Sequence, residues 1–245
     1  MCKRLGLALM GVYLIVAAMG VSAQSLNVVV PQLSPAATDS YKKTIEAIVD
    51  AGGRTAAVQI LPFARAVYMM ETKQADILST FVQIPDQKKW AALKYDYSSS
   101  ELLKIVFVLF TNKSKPISVA DLKSGNAKGY KIETDAAHID HFSFAVAPST
   151  SIDASLKKVD SGDIDGFIFS QGSTDAALKR LGLKNIARQY FDTYSGVFLL
   201  QKGGRGGPLD ALIAAGLAKI KANGKYQEIL GAYAAGASKY IEWQP

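Results

Sequence analysis

The 245-residue chain carries 28 Lys and Arg against 21 Asp and Glu, a formal charge of +7, with one cysteine, Cys2. Its basic residues are scattered, with no run of five or six, so nucleic-acid binding is not expected. A single thiol supplies neither a disulfide framework nor a thiolate metal set, which leaves a hydrophobic core as the source of stability.

At the N-terminus, Lys3 and Arg4 precede an uncharged apolar run from Leu5 to Gly20, and Val21-Ser22-Ala23 places small residues before Gln24. That is the grammar of a secretory signal peptide over residues 1–23, cleaved after Ala23. A membrane anchor needs about 20 apolar residues. A lipid anchor needs its cysteine after the run, whereas Cys2 lies before it. Cleavage would remove Cys2 together with Lys3 and Arg4, lowering the charge from +7 to +5. Residues 24–245 suit two lobes of roughly 100 residues each.

Strand-like and helix-like segments then alternate, the pattern of an α/β protein with largely parallel sheets. Leu26 to Val30 reads as a strand stopped by Pro31, and Asp39 opens a helix that Gly52-Gly53 end. Thr55 to Leu61 is a strand, Pro62 to Lys73 a helix and Asp76 to Phe81 a strand. The run Leu102 to Phe110 (LLKIVFVLF) is strongly β-like and leads into polar residues Thr111 to Pro116. A second set follows: a turn of helix at Val119 to Lys123, a strand at Tyr130 to Glu133 and a helix at Ser151 to Ser161. Next come a buried strand at Asp165 to Phe169, a helix at Thr174 to Leu181, and strands at Asn185 to Arg188 and Gly196 to Gln201. The glycine-rich Gly203 to Gly207 reads as a flexible turn before helices at Pro208 to Asn223 and Lys225 to Tyr233. Polar breaks near 108–114 and 192–197 permit two crossings between a discontinuous first lobe and an inserted second one.

Several segments, in order, resemble one family. Leu61-Pro62-Phe63-Ala64-Arg65-Ala66 with Glu71 to Asp76 is similar to its "P-W-x-R-A … G-x-A-D" segment, and Pro85 to Lys89 with Tyr95 to Ser98 to "T-P-E-R-x-K … F-S". Val119 to Lys123 resembles "DLKGK", Ser155-Leu156 to Asp165-Gly166 resembles "A-L-x-x-G-x-x-D-A", and Lys221 to Leu230 resembles "L-K-A-D-G-T-Y-x-K-I-L". The family is that of bacterial periplasmic solute-binding proteins of the amino-acid type (solute-binding family 3), receptors for ABC importers. The resemblance implies a type II periplasmic-binding-protein fold, with lobe 1 from residues 24–110 and 196–245, lobe 2 from 111–195, and two hinge crossings. It further implies a monomer that closes on a small polar, amino-acid-like or carboxylate solute, hands it to an inner-membrane ABC permease, and needs no cofactor.

The same resemblance marks candidate ligand-binding residues. The family's carboxylate-binding Arg falls at Gln87 and its ammonium-binding Asp near Ser170, so both charges of the usual clamp are replaced. Phe63 and Arg65 open a helix that meets the cleft in the family, although Arg65 reads equally as a surface residue. Thr80 and Phe81 end a strand, where open α/β sheets place ligands. Glu133, Thr134 and Asp135 end the first strand of lobe 2, with Thr134 the ligand candidate. Ser149 and Thr150 precede a helix start that can donate N–H groups to an anion, and Tyr194 lies by the second crossing. His138-Ile139-Asp140-His141 invites a metal reading but lacks a third histidine, and a polar helix start is preferred. No G-x-S-x-G, H-E-x-x-H or phosphate loop is present, so an enzyme is not expected. The alternatives are a dehydratase-like enzyme on this fold and a free-standing partner that presents its ligand to a sensor.

Overall fold

The computed structural model describes residues 25–124 and 129–242. The expected signal peptide and its cleavage site lie outside the described residues. In the first lobe, β1 (Leu26–Pro31) pairs in parallel with β2 (Ala56–Leu61) and β3 (Ile77–Val82). All six residues of β3 are buried, as expected for a strand flanked on both edges and covered on both faces. Helix α1 (Pro35–Ala51) links β1 to β2, and α2 (Phe63–Glu71) links β2 to β3.

Two long strands run through the whole molecule. β4 (Tyr95–Asn112) and β8 (Ile186–Gln201) are antiparallel neighbours over nearly their full length. The end of β8 pairs with β3, while Phe107 to Thr111 of β4 pair with β7 (Gly166–Ser170). β7 pairs in parallel with β5 (Ile132–Asp135), which pairs with the three-residue β6 (Ala147–Ser149). The result is one sheet in the order β2-β1-β3-β8-β4-β7-β5-β6, in which β4 and β8 are the two hinge crossings. Their register shifts between Tyr97 and Glu101, between Glu101 and Leu103, and between Phe107 and Val108, irregularities that locally bend and twist a ladder.

The remaining helices are α3 (Val119–Lys123), α4 (Ile152–Ser161), α5 (Gln171–Leu181), α6 (Pro208–Ala222) and α7 (Lys225–Ser238). Helices α1, α6 and α7 pack together on the first lobe. Gly216 of α6 makes the α1 contact possible, because a Cβ there would lie 2.2 Å from the Ile48 carbonyl oxygen. The chain end then crosses to the second lobe: Gln171 Nε2 donates to the carbonyls of Gly236 (2.9 Å) and Lys239 (3.0 Å). No described helix is long and apolar enough to cross a membrane.

Three local expectations change. Helix α1 begins at Pro35, not Asp39, because proline at the first helical position has its φ preset and no N–H to satisfy. β4 starts at Tyr95, seven residues before the apolar run, because Ser98 and Ser99 are anchored by hydrogen bonds. Ser99 N–H donates to Asp210 Oδ1 at 2.9 Å, and Ser98 Oγ accepts from Phe198 N–H at 3.3 Å. The turn at Gly203 to Gly207 is likewise clasped: Gly203 N–H donates to Asp96 Oδ2 at 2.8 Å, and Arg205 Nη1 donates to the carbonyls of Tyr97 and Ser98, each at 2.8 Å. Burial pushes the Asp96 carboxyl up, but the Gly203 N–H, Lys202 and the Arg205 N–H outweigh it and hold it below the ordinary range.

Candidate functional site

Between the lobes lies a cleft with an outer mouth and an inner floor. The mouth is a cavity of about 540 Å³, within the usual range for small-molecule sites of roughly 300–1,000 Å³. Its wall includes the first residues of three helices and the first turn of a fourth: Ser34 and Pro35 (α1), Pro62 and Phe63 (α2), Ser151 and Ile152 (α4), and Ser173 (α5). Helix starts carry unpaired backbone N–H groups and a partial positive charge. α4 is capped, with Ser151 Oγ accepting from Ala154 N–H at 3.3 Å. The N-caps of α1, α2 and α5 make no side-chain cap bond. Among the charged residues of the wall, Arg180 is held by Asp153 in a two-pronged pair (2.9 and 2.7 Å). Asp135 Oδ1 accepts from Ala137 N–H at 2.9 Å and lies 3.2 Å from His138 Nδ1.

The floor is different in kind. Its free volume is about 20 Å³, on the order of a single water molecule. Phe63 and Phe169 continue inward from the mouth and meet Phe81, Phe107 and His138, with Tyr41, Tyr233, Thr80 and Ser170 completing the lining. Tyr41 and Tyr233 contact edge to face at 5.4 Å. Burial pushes the Tyr41 phenol well above its ordinary titration range and raises that of Tyr233, so both are neutral hydrogen-bonding hydroxyls. Thr80 Oγ1 and Ser173 Oγ lie beside these hydroxyls, yet neither makes a hydrogen bond of ordinary geometry.

The lobes also touch directly on this side. His138 of the turn Ala136–His141 stacks on Phe81 with centroids 4.8 Å apart and planes 14° apart. His141 Nε2 lies 2.7 Å from the Val82 carbonyl oxygen, so its proton sits on Nε2. Burial, then the neighbouring His138, lower the His141 pKa to about 3 and keep it neutral. Outside this buried contact, Lys89 Nζ donates to the Asp140 carbonyl at 2.9 Å. Among the described residues no three histidine or carboxylate side chains cluster as metal ligands.

The structure therefore sorts the residues singled out from the sequence. Phe63, Thr80, Phe81 and Ser170 line the floor, and Thr150 lines the mouth. Thr134 is fully buried and donates to the Ile168 carbonyl at 2.8 Å, tying β5 to β7. Ser149 Oγ is engaged by Ser155 Oγ at 2.7 Å. Tyr194 is buried edge-on against Phe107 at 4.9 Å, behind the floor. Arg65 is exposed on α2, with its guanidinium 4.9 Å from the Tyr68 ring. Gln87 is exposed at the start of the 3-10 helix Gln87–Ala92. The floor also draws on Tyr41, Phe107, Phe169 and Tyr233, which read in sequence as ordinary apolar-face residues. No local signal marks them, because they converge from four separate elements.

No family model matches the sequence, and no curated protein matches it. Solved structures do match the fold. A histidine kinase sensor domain with similarity to periplasmic binding proteins superposes with a TM-score of 0.70 at 13% identity, over 89% of this chain and 99% of that one. The arginine-, lysine-, histidine-binding protein ArtJ from Geobacillus stearothermophilus gives 0.65 at 15% identity, over 88% and 97%. An ancestral amino acid-binding protein, a precursor of cyclohexadienyl dehydratase, gives 0.63 at 16% identity, over 86% and 95%. The continuous sheet, the two shared long strands and the cleft between them give this chain the two-lobed, type II fold of the periplasmic amino-acid-binding proteins.

Proposed function

We propose that the protein is an exported solute receptor that captures a small amino-acid-like or carboxylate ligand in the interlobe cleft and delivers it to an inner-membrane ABC permease. One observation carries this reading: a 540 Å³ cavity faced by helix starts from both lobes, three of them without a side-chain cap. Unpaired N–H groups at such starts donate to a carboxylate without an arginine, and the Asp135 carboxylate beside them suits an ammonium group. A ligand held by both lobes favours the closed form only by its differential affinity for it, and a permease can read that closure. From the strand pairing, we set the crossing on β4 within Glu101 to Val106, earlier than residue 110, and that on β8 near Thr193 to Gly196.

The test is a thermal-shift screen of amino acids, organic acids and polyamines at millimolar concentration, with product analysis of every hit. A receptor gains RT ln(1 + [L]/Kd) in stability and returns its ligand unchanged. A converted ligand identifies an enzyme instead. The reading fails if no small solute raises the midpoint.

A further inference from the structure

The floor of the cleft is a finished ring-binding site, and its occupant is part of the chain. His138 is 1% exposed, and four phenylalanines surround its imidazole: Phe63 at 4.9 Å, Phe81 at 4.8 Å, Phe107 at 5.9 Å and Phe169 at 5.4 Å. Phe81 is stacked on it, and Phe63 and Phe169 meet it edge-on, the two arrangements that ring quadrupoles favour. Asp135 Oδ1 lies 3.2 Å from Nδ1, so the polar edge of the ring has an acceptor waiting. Phe63 and Phe81 belong to the first lobe, while His138, Asp135 and Phe169 belong to the second. The contact is thus made across the cleft, where a bound solute would lie. It also sits on a short 3-10 turn between β5 and β6, not on a long helix or a central strand.

We propose that the Phe63–Phe81–Phe107–Phe169 cage is the subsite for a planar nitrogen heteroaromatic group of the solute, its N–H directed to Asp135, and that His138 is a tethered stand-in which this ring displaces. The inference rests on the solute-binding reading and narrows it. The remainder of the ligand would lie toward the mouth, whose lining shares Phe63 and Phe169 with the floor. Because His138 competes for the cage, a free ring binds with an apparent Kd equal to the intrinsic Kd divided by the fraction of molecules in which His138 is out of the cage.

The probes are imidazole and indole, with glycine and glutamate as ring-free comparators. Calorimetry is run on the full protein and on His138→Ala, and the His138 ring resonances of the unsubstituted protein are followed by NMR. The expected result is saturable ring binding by the unsubstituted protein and at least tenfold tighter binding by His138→Ala. The His138 ring protons should move downfield as they leave the face of Phe81. If His138→Ala does not fold, the resonances of the unsubstituted protein decide alone. The proposal is overturned if neither ring binds the unsubstituted protein, if His138→Ala binds no tighter, or if ring binding leaves the His138 resonances unmoved. Binding of glycine or glutamate without either ring would remove the cage proposal and leave the receptor reading standing. Failure of all four probes and of the wider screen removes both.

Discussion

The floor and the mouth of the cleft share Phe63 and Phe169 but obey opposite physics. The floor is aromatic and has closed on itself to about 20 Å³, because apolar burial is non-directional and rings from either lobe can supply it. The mouth stays open at about 540 Å³, because helix starts and carboxylates are satisfied by partners of defined geometry or by water. The difference teaches that non-directional ring packing and directional polar groups are held in different places. Contact between the lobes buries rings at the floor, while helix starts and carboxylates remain accessible at the mouth.

Four perturbations can break or sharpen that contrast. The largest effect is expected from Phe81→Ala, which empties the centre of the floor and should cost about 3–5 kcal/mol, read as a lower urea midpoint. A loss under about 1 kcal/mol would mean that the floor does not carry the lobe contact. Acid should act at the same place. The His141 pKa is lowered from 6.5 to about 3 in the folded protein, so the unfolded chain binds the extra proton first. Stability is therefore full above about pH 6.5 and falls as pH drops toward about 3. His141→Gln should flatten that part of the stability–pH curve, and an unchanged slope would place the sensitivity elsewhere.

Thr134→Val removes the hydroxyl bond to the Ile168 carbonyl while keeping the shape, and about 1 kcal/mol is expected. Its effect belongs to the second lobe alone, so any solute affinity should be unaltered; a changed affinity would return Thr134 to the site. Arg180→Ala is expected to do least. Its pair with Asp153 is exposed to solvent at the mouth, where such pairs contribute little. The thermal midpoint should not move measurably, and a clear drop would show that the mouth is structural after all.

Much of the fold was legible in the sequence because it rests on local periodicity. The β-branched run Val28-Val29-Val30, the all-buried Gly166-Phe167-Ile168-Phe169 and the glycine-ended helices α4 and α5 announce themselves within a few residues. The start of β4 did not, because Ser98 and Ser99 owe their places to Phe198 and to Asp210, about 100 residues away. The site was legible only in part, for the same reason. Phe63, Thr80, Phe81, Thr150 and Ser170 reach the cleft from element ends that a motif can mark. Tyr41, Tyr233 and Phe107 reach it from the middle or far end of elements whose patterns look like ordinary core.

The sequence alone thus determined the alternating α/β order and the scattered charge. Each of these is a property of a residue and its neighbours along the chain. The tertiary structure decided that β4 and β8 run unbroken through both lobes, that Gln87 faces solvent, and that His138 fills an aromatic cage built by the other lobe and its own. Those outcomes depend on which faces meet across 31 to 106 residues of chain, and no local pattern encodes that distance.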